Sequence, residues 1–283
     1  MNVGNISGKT KIAGIVGNPV AHSLSPKIHN FLFEKFGIDA VYVPFQIENE
    51  NCLGNFVKTF RSANFLGCNI TIPYKSAILP FIDNKTKFSE ITGTANTLYT
   101  ENEKIYATTT DYAGFTKALE QDNFYIKDKN VLILGNGGTA KTLAASLDNP
   151  KNISLVGRNK EKVKKLAEEI TDFDVSYFSF DEAKDVIWNA DIIVNCTSAG
   201  MYPNIDESPV DISFVNPKTY LFDVIYNPLE TKFLRDGKEK GCRVQNGLLM
   251  LIYQAFESFY VWTNKIDYNY VEELENLLLK EFD

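Results

Sequence analysis

Val131-Leu132-Ile133-Leu134-Gly135-Asn136-Gly137-Gly138-Thr139-Ala140 is an apolar run that breaks into glycines and then enters a helical pattern. It reads as a strand, a tight turn and the start of a helix. Gly135, Gly137 and Ala140 fall on the three small positions of the G-x-G-x-x-G/A spacing. There, small residues permit the turn, let backbone N–H groups approach a pyrophosphate and let helix and strand pack closely. Asn136, Gly138 and Thr139 complete the turn, and the N–H groups that open the helix favour an anion. Glycine also serves turns for purely steric reasons, so the sequence around the motif decides.

Downstream, strand and helix alternate. Hydrophobic periodicity predicts a helix to about residue 147, a strand at 153–156, a charged helix at 161–170, a strand at 175–180, a helix at 181–188 and a strand at 191–195. Further strands at 222–225 and 242–244 flank a helix at 231–240. This is a doubly wound unit with the glycine turn at its first crossover, where such folds place pyrophosphate.

Upstream the rhythm is similar but separate. A strand at 11–17 ends in the turn Asn18-Pro19, and Ser25-Pro26 reads as the N-cap and first residue of a helix with the stripe Ile28, Phe31, Leu32 and Phe36. A strand at 41–47, a helix at 51–62 and a strand at 65–72 follow, which implies a mostly parallel sheet. Near residue 94 the pattern shifts to two short strands, 94–99 and 104–110, with Asp111 at the end of the second and a helix at 112–120. Helices at 248–261 and 271–282 come too late for a minimal dinucleotide unit. The fold class is α/β, with one domain at 1–111 completed by 247–283, and a Rossmann-type domain at 112–246.

The bulk properties narrow the function. The 283 residues are 44% hydrophobic and 23% charged, ordinary for a globular protein, and the net charge is −7. That balance excludes electrostatic capture of nucleic acid or an anionic membrane, so any anionic ligand needs local groups. Cys52, Cys68, Cys196 and Cys242 show no C-x-x-C pairing and read as buried thiols of a reducing compartment. The polar start, residues 1–11, lacks a signal-peptide apolar core, and no apolar run reaches the roughly 18 residues of a membrane span. A cytoplasmic protein is expected. With only His22 and His29 and no ligand-spaced cluster, no metal is expected.

NAD-binding units usually carry Asp or Glu about 20 residues past the glycines to hold the ribose 2′-OH. Here the second strand ends Val156-Gly157-Arg158-Asn159, with Lys162 one turn on. A guanidinium and an ammonium pair with a 2′-phosphate that a carboxylate would repel. The cofactor predicted is NADP, held by Arg158, Asn159 and Lys162.

The remaining motifs resemble those of the shikimate dehydrogenase family over nearly the whole chain. Gly17 to Pro26 (GNPVAHSLSP) is similar to its G-x-P-x-x-H-S-x-S-P, and Asn69 to Lys75 (NITIPYK) to its N-V-T-x-P-x-K. Ala95-Asn96-Thr97, Thr110-Asp111, Asn195 to Met201 (NCTSAGM), Asp223 to Pro228 (DVIYNP) and Gly247 to Gln254 (GLLMLIYQ) follow in the family's order.

The resemblance implies reversible NADP-linked reduction of 3-dehydroshikimate to shikimate, a step of aromatic amino-acid biosynthesis. It implies Lys75 and Asp111 as the catalytic pair, and Ser23, Ser25, Thr71, Asn96, Tyr226 and Gln254 as substrate ligands. Thr197, Ser198, Val224 and Gly247 join the cofactor set. Lys75 offers the proton and positive field that a developing alkoxide needs, and the polar set offers mixed donors and acceptors to ring hydroxyls.

The chain departs from the family at Thr109, Tyr112, Gly157, Asn246 and Leu249. Tyr112 and Leu249 add bulk where glycine is usual. A quinate/shikimate dehydrogenase of broader range, and an NADP-binding regulator without catalysis, stand as alternatives. The partner expected is a small molecule, acted on by a monomer or homodimer.

Overall fold

The computed structural model describes residues 6–63, 65–170 and 173–282. The first five residues of the polar N-terminal stretch lie outside them. Contacts divide the chain into two compact units, one reaching to Gly114 and taking in Ile252–Glu281, the other Phe115–Leu251.

In the first unit β1 (Lys11–Gly17), α1 (Ser25–Lys35), β2 (Ala40–Gln46), α2 (Leu53–Ser62) and β3 (Phe65–Ile70) form two strand–helix–strand crossovers. β1 is buried from Ala13 to Gly17, as expected of a central strand covered on both faces. Beyond it lie β4 (Asn84–Lys85), α3 (Lys87–Thr92), β5 (Thr97–Glu101) and β6 (Lys104–Thr108), and the sheet order is β2-β1-β3-β5-β6-β4. Pairing is parallel in β1/β2, β1/β3 and β4/β6, and antiparallel in β3/β5 and β5/β6. The shift of pattern near residue 94 is therefore a hairpin, with Asn102 and Glu103 at positive φ in its turn. β4 and α3 escape sequence reading because they are too short for a period, although Thr86 caps α3 through its hydroxyl.

α4 (Asp111–Gln121) starts one residue before the expected helix, so Asp111 is its first residue instead of a strand end. The second unit then runs β7 (Asn130–Leu134), α5 (Gly138–Ala144), β8 (Asn152–Val156), α6 (Lys160–Glu168), β9 (Val175–Phe178), α7 (Lys184–Asn189), β10 (Ile192–Asn195), β11 (Tyr220–Asp223), α8 (Lys232–Glu239) and β12 (Arg243–Gln245). The helix expected at 181–188 is split. A Ser179/Glu182 capping box closes a 3₁₀ turn at Phe180–Glu182 before α7 begins. The sheet order β12-β11-β10-β7-β8-β9 is parallel throughout, with the reversal of strand order at β7/β10. Leu132, Leu134, Ile193, Leu221 and Phe233 fill its core, each burial favouring the fold by about 1.5–3 kcal/mol.

α9 (Leu248–Thr263) and α10 (Val271–Leu279) end the chain. Phe259 of α9 packs on Phe33 of α1 at 5.8 Å between ring centroids, within the first unit. Two expectations need correction. Ser25 is not the N-cap of α1: Leu24 holds that position without a side-chain bond, and Ser25 lies inside the first turn, buried. Its N–H donates to Ser23 Oγ at 3.3 Å, so Ser23 takes one of the unpaired helix N–H groups. Nor are all four thiols buried, for Cys52 is exposed in a 3₁₀ turn and Cys196 is half-buried. Among the described residues no helix is long and apolar enough to cross a membrane.

Candidate active site

Lys75 lies on the turn after β3. Buried Tyr74 anchors that turn, and the Lys75 carbonyl accepts the Ala95 N–H at 2.8 Å. With its backbone held, the Lys75 ammonium forms an ion pair with Asp111 Oδ2. The side chains are 16% and 7% exposed, so solvent screens the pair weakly.

Asn96 holds the other carboxylate oxygen. Its Nδ2 donates to Asp111 Oδ1 at 2.8 Å and to Thr110 Oγ1 at 2.9 Å, with Gln254 Oε1 at 3.2 Å. The amide cannot turn over, because Asn96 Oδ1 already accepts the Thr110 N–H at 2.9 Å and the Thr97 hydroxyl at 2.8 Å. Asp111 is thus oriented by a donor that is itself oriented, while the ammonium spends one of three N–H groups on it and keeps two for a ligand.

The structure joins Lys75, Asp111, Asn96 and Gln254 in one hydrogen-bonded cluster. Thr71 is half-buried on the turn that leads to Lys75, its carbonyl accepting the Tyr74 N–H at 2.9 Å. Ser23 and Ser25 stand at the start of α1. Ser25 interacts with the Tyr42 phenol, whose titration burial pushes well up. Tyr226 belongs to the second unit, where burial likewise raises its phenol.

Sequence reading missed the layer beneath the cluster: Tyr42, Asn69, Thr97, Thr110 and Ser258, all buried. The signal for Ser258 was present. It lies four residues after Gln254 on a mostly apolar helix, hence on the same face.

In the second unit the ends of β7 and β10 enclose a cavity of about 610 Å³. Of the expected cofactor residues, Gly135, Asn136, Gly137, Arg158, Asn159, Lys162, Thr197 and Ser198 line it. Gly138, Thr139 and Ala140 form the first turn of α5, with Ala140 fully buried. Val224 and Gly247 do not line it but meet each other. A Cβ on Gly247 would come 2.2 Å from the Val224 carbonyl oxygen, so only glycine fits. Phe180, Cys196, Asn204 and Glu207 line the cavity unforeseen, because loops after β9 and β10 bring them there.

The cavity suits a dinucleotide phosphate. Gly135 has φ +114° and its Cβ would press on the Cys196 carbonyl at 3.1 Å, whereas a Cβ on Gly137 would meet only open space. Arg158 is exposed at the cavity, and among the described residues no carboxylate pairs with it. Asn159 has a second duty, since its Oδ1 accepts the Lys162 N–H at 3.1 Å as the cap of α6.

Thr197 joins the cavity lining to a buried polar knot. Asn195 and Asp223 are register partners, and Asn195 Nδ2 donates to Asp223 Oδ1 at 3.0 Å. Thr231 Oγ1 donates to Asp223 Oδ2 at 2.7 Å, while Asn195 Oδ1 accepts the Thr197 N–H and hydroxyl. Burial pushes the Asp223 carboxyl up to about 6, against the opposing hydrogen bonds. The folded state therefore binds this proton more tightly than the unfolded chain, where aspartate titrates near ~3.9. The stability Asp223 contributes is fully present below that value and lost as pH rises through about 6. Relative to wild type, Asp223→Asn is expected to gain about 2–4 kcal/mol between pH ~4 and ~7, read from urea midpoints. A pH-independent difference would contradict this.

Two of the departures from the family pattern have local explanations. Tyr112 stacks on Phe88 at 5.7 Å. Asn246 Oδ1 accepts the Leu248 N–H at 3.0 Å at the start of α9, and its Nδ2 donates to the Leu229 carbonyl. Nothing in the structure explains Thr109, whose buried hydroxyl has no partner among the described residues.

Comparison with known proteins establishes the family. The profile of the shikimate dehydrogenase substrate-binding domain matches residues 15–98, and that of shikimate/quinate 5-dehydrogenase matches 118–225. The shikimate dehydrogenase (NADP(+)) of Pyrococcus furiosus is 40% identical over 260 residues, which cover 92% of this chain and 93% of that one. A solved shikimate dehydrogenase in complex with NADP+ aligns with a TM-score of 0.91 at 36% identity, covering 98% of both chains. The shikimate 5-dehydrogenase of Listeria monocytogenes, solved with shikimate and NAD, aligns at 0.88 with 31% identity, over 95% of this chain and 98% of that one. On domain profiles, sequence identity and fold alike, the chain belongs to the shikimate dehydrogenase family.

Proposed function

We propose that the protein is an NADP-dependent shikimate dehydrogenase, interconverting 3-dehydroshikimate and shikimate on the route to chorismate and the aromatic amino acids. The observation that carries this reading is the buried Lys75–Asp111 pair, its carboxylate held by Asn96, which also contacts Gln254. NADP, when bound, gives or takes the hydride. Reduction places negative charge on the ketone oxygen, and Lys75 supplies the proton and the positive field there. Asp111 holds the ammonium in position and takes part in the acid/base pair, while Asn96 keeps its carboxylate from turning away.

Ser23 and Ser25 with Tyr226 offer neutral donors to the substrate carboxylate, and Thr71, Asn96 and Gln254 bind ring hydroxyls. The turn from Gly135 to Ala140 with Arg158, Asn159 and Lys162 would hold the phosphate groups, with Thr197 and Ser198 completing the cavity lining and Val224 and Gly247 lying beyond it. The enzyme acts in the cytoplasm on a small molecule as a monomer or homodimer, without nucleic acid or membrane.

Initial rates with shikimate and with quinate, each against NADP+ and NAD+, test the assignment. Shikimate with NADP+ is expected to give the highest kcat/KM. A higher value with quinate would move the protein to the broader quinate/shikimate class. No turnover with either acid would overturn the reading.

A further inference from the structure

The layer beneath the catalytic cluster is one connected set of hydrogen bonds whose direction can be worked out. Tyr42 Oη donates to Asn69 Oδ1 at 2.8 Å, which fixes the Asn69 amide with Nδ2 toward α9. That nitrogen has two protons. They go to the two nearest acceptors, the Asn96 carbonyl and Ser258 Oγ, both at 3.0 Å, with Thr97 Oγ1 farther at 3.2 Å.

Ser258 Oγ and Thr97 Oγ1 are 2.7 Å apart and share one proton along that line. If Ser258 supplies it, the Thr97 proton is free for Asn96 Oδ1 at 2.8 Å, and the Thr110 hydroxyl satisfies the Gln254 carbonyl at 2.9 Å. Every donor then has one acceptor, and the shortest contacts are all used. The alternatives, with Ser258 donating to the Gln254 carbonyl at 3.0 Å or to Thr110 Oγ1 at 3.1 Å, both turn Thr97 away from Asn96, and the first gives that carbonyl a second donor. Ser258 and Thr97 are fully buried, so water cannot replace a lost partner at the surface.

The register of the sheet builds this arrangement. Asn69 on β3 lies directly opposite Thr97 on β5, and Ser258 comes down on both from α9, one turn beyond Gln254. We propose that Ser258 is a positioning residue for the substrate site, passing the hydrogen-bond order of Tyr42 and Asn69 through Thr97 to Asn96, and so fixing the Asn96 amide and Gln254 for the substrate. The inference rests on the shikimate dehydrogenase reading. It goes further in giving a role to a hydroxyl that neither touches Lys75 nor lines the cofactor cavity.

A double-mutant cycle on the full-length protein tests it, with Ser258→Ala and Thr97→Val measured for kcat and for the KM of shikimate and of NADP+. Each single change is expected to raise the shikimate KM about tenfold, the size of one to two lost hydrogen bonds. The double variant is expected to show about the same tenfold rise instead of a hundredfold one, because both changes cut one path. The NADP+ KM should stay within about twofold of wild type, while kcat falls to the extent that Asn96 loses its hold on Asp111.

A multiplicative double effect, an unchanged shikimate KM, or a parallel rise in both KM values would overturn the proposal. If Ser258→Ala does not fold, Ser258→Cys keeps the volume with a weaker donor and is held to the same outcomes. Wild-type turnover of shikimate is read in the same series, so failure of the enzymatic assignment is distinguishable from failure of the role given to Ser258.

Discussion

Replacing Lys75 with alanine is expected to lower kcat for shikimate oxidation by about 10²–10⁴-fold, the range that a positioned proton-transfer group supplies. The change removes the proton donor and the local positive charge together, and leaves Asp111 buried without its cation. The NADP+ KM should change little, since Lys75 does not line the cofactor cavity. Steady-state rates, with thermal unfolding as a folding control, measure both effects. Full turnover in the variant would show that the proton moves by another group.

Arg158→Ala is the second large effect expected. Charge-assisted hydrogen bonds contribute about 1.5–3 kcal/mol each, so losing the guanidinium should raise the NADP+ KM about 10–100-fold. NAD+, which has no 2′-phosphate, should be affected far less, and the preference between the cofactors should collapse. The geometry supports this division, because Arg158 is exposed at the cavity and the backbone of β8 and α6 does not depend on its side chain. Lys162→Ala should give a smaller change in the same direction. An unaltered NADPH/NADH preference in Arg158→Ala would place the phosphate elsewhere.

The glycine turn and its surroundings were readable from sequence because they depend on local physics. A run of buried β residues, a turn that only glycine tolerates and a helix start are set by neighbours in the chain. The same holds for Arg158, which the end of β8 delivers to the cavity without help from distant residues. Ser25 was misplaced by one position for the opposite reason. A Ser-Pro pair favours a cap, but here Ser25 is buried inside the first turn by contact with Tyr42, 17 positions later in the chain (42 − 25).

Asp111, Asn96 and Gln254 could be named through a resemblance, yet their joining in one cluster depends on β5, α4 and α9 meeting. Tyr42 and Ser258 belong to no such motif, and Asn69 opens one without gaining a role from it, since single buried polar residues acquire their part only from the partners that the fold brings. Asp223 shows the limit from the other side. Its place in a motif was evident, but its raised titration comes from burial by the second unit's core.

On the proposed function, this chain carries both halves of a dehydrogenase, a proton-handling pair and a dinucleotide site, and turns over. The most direct test is a single-turnover experiment in which purified protein is mixed with NADPH and limiting 3-dehydroshikimate. NADPH loss should equal shikimate formed, and both should slow together in Lys75→Ala. Binding of NADPH without consumption would contradict the claim and mark the protein as a cofactor-binding regulator.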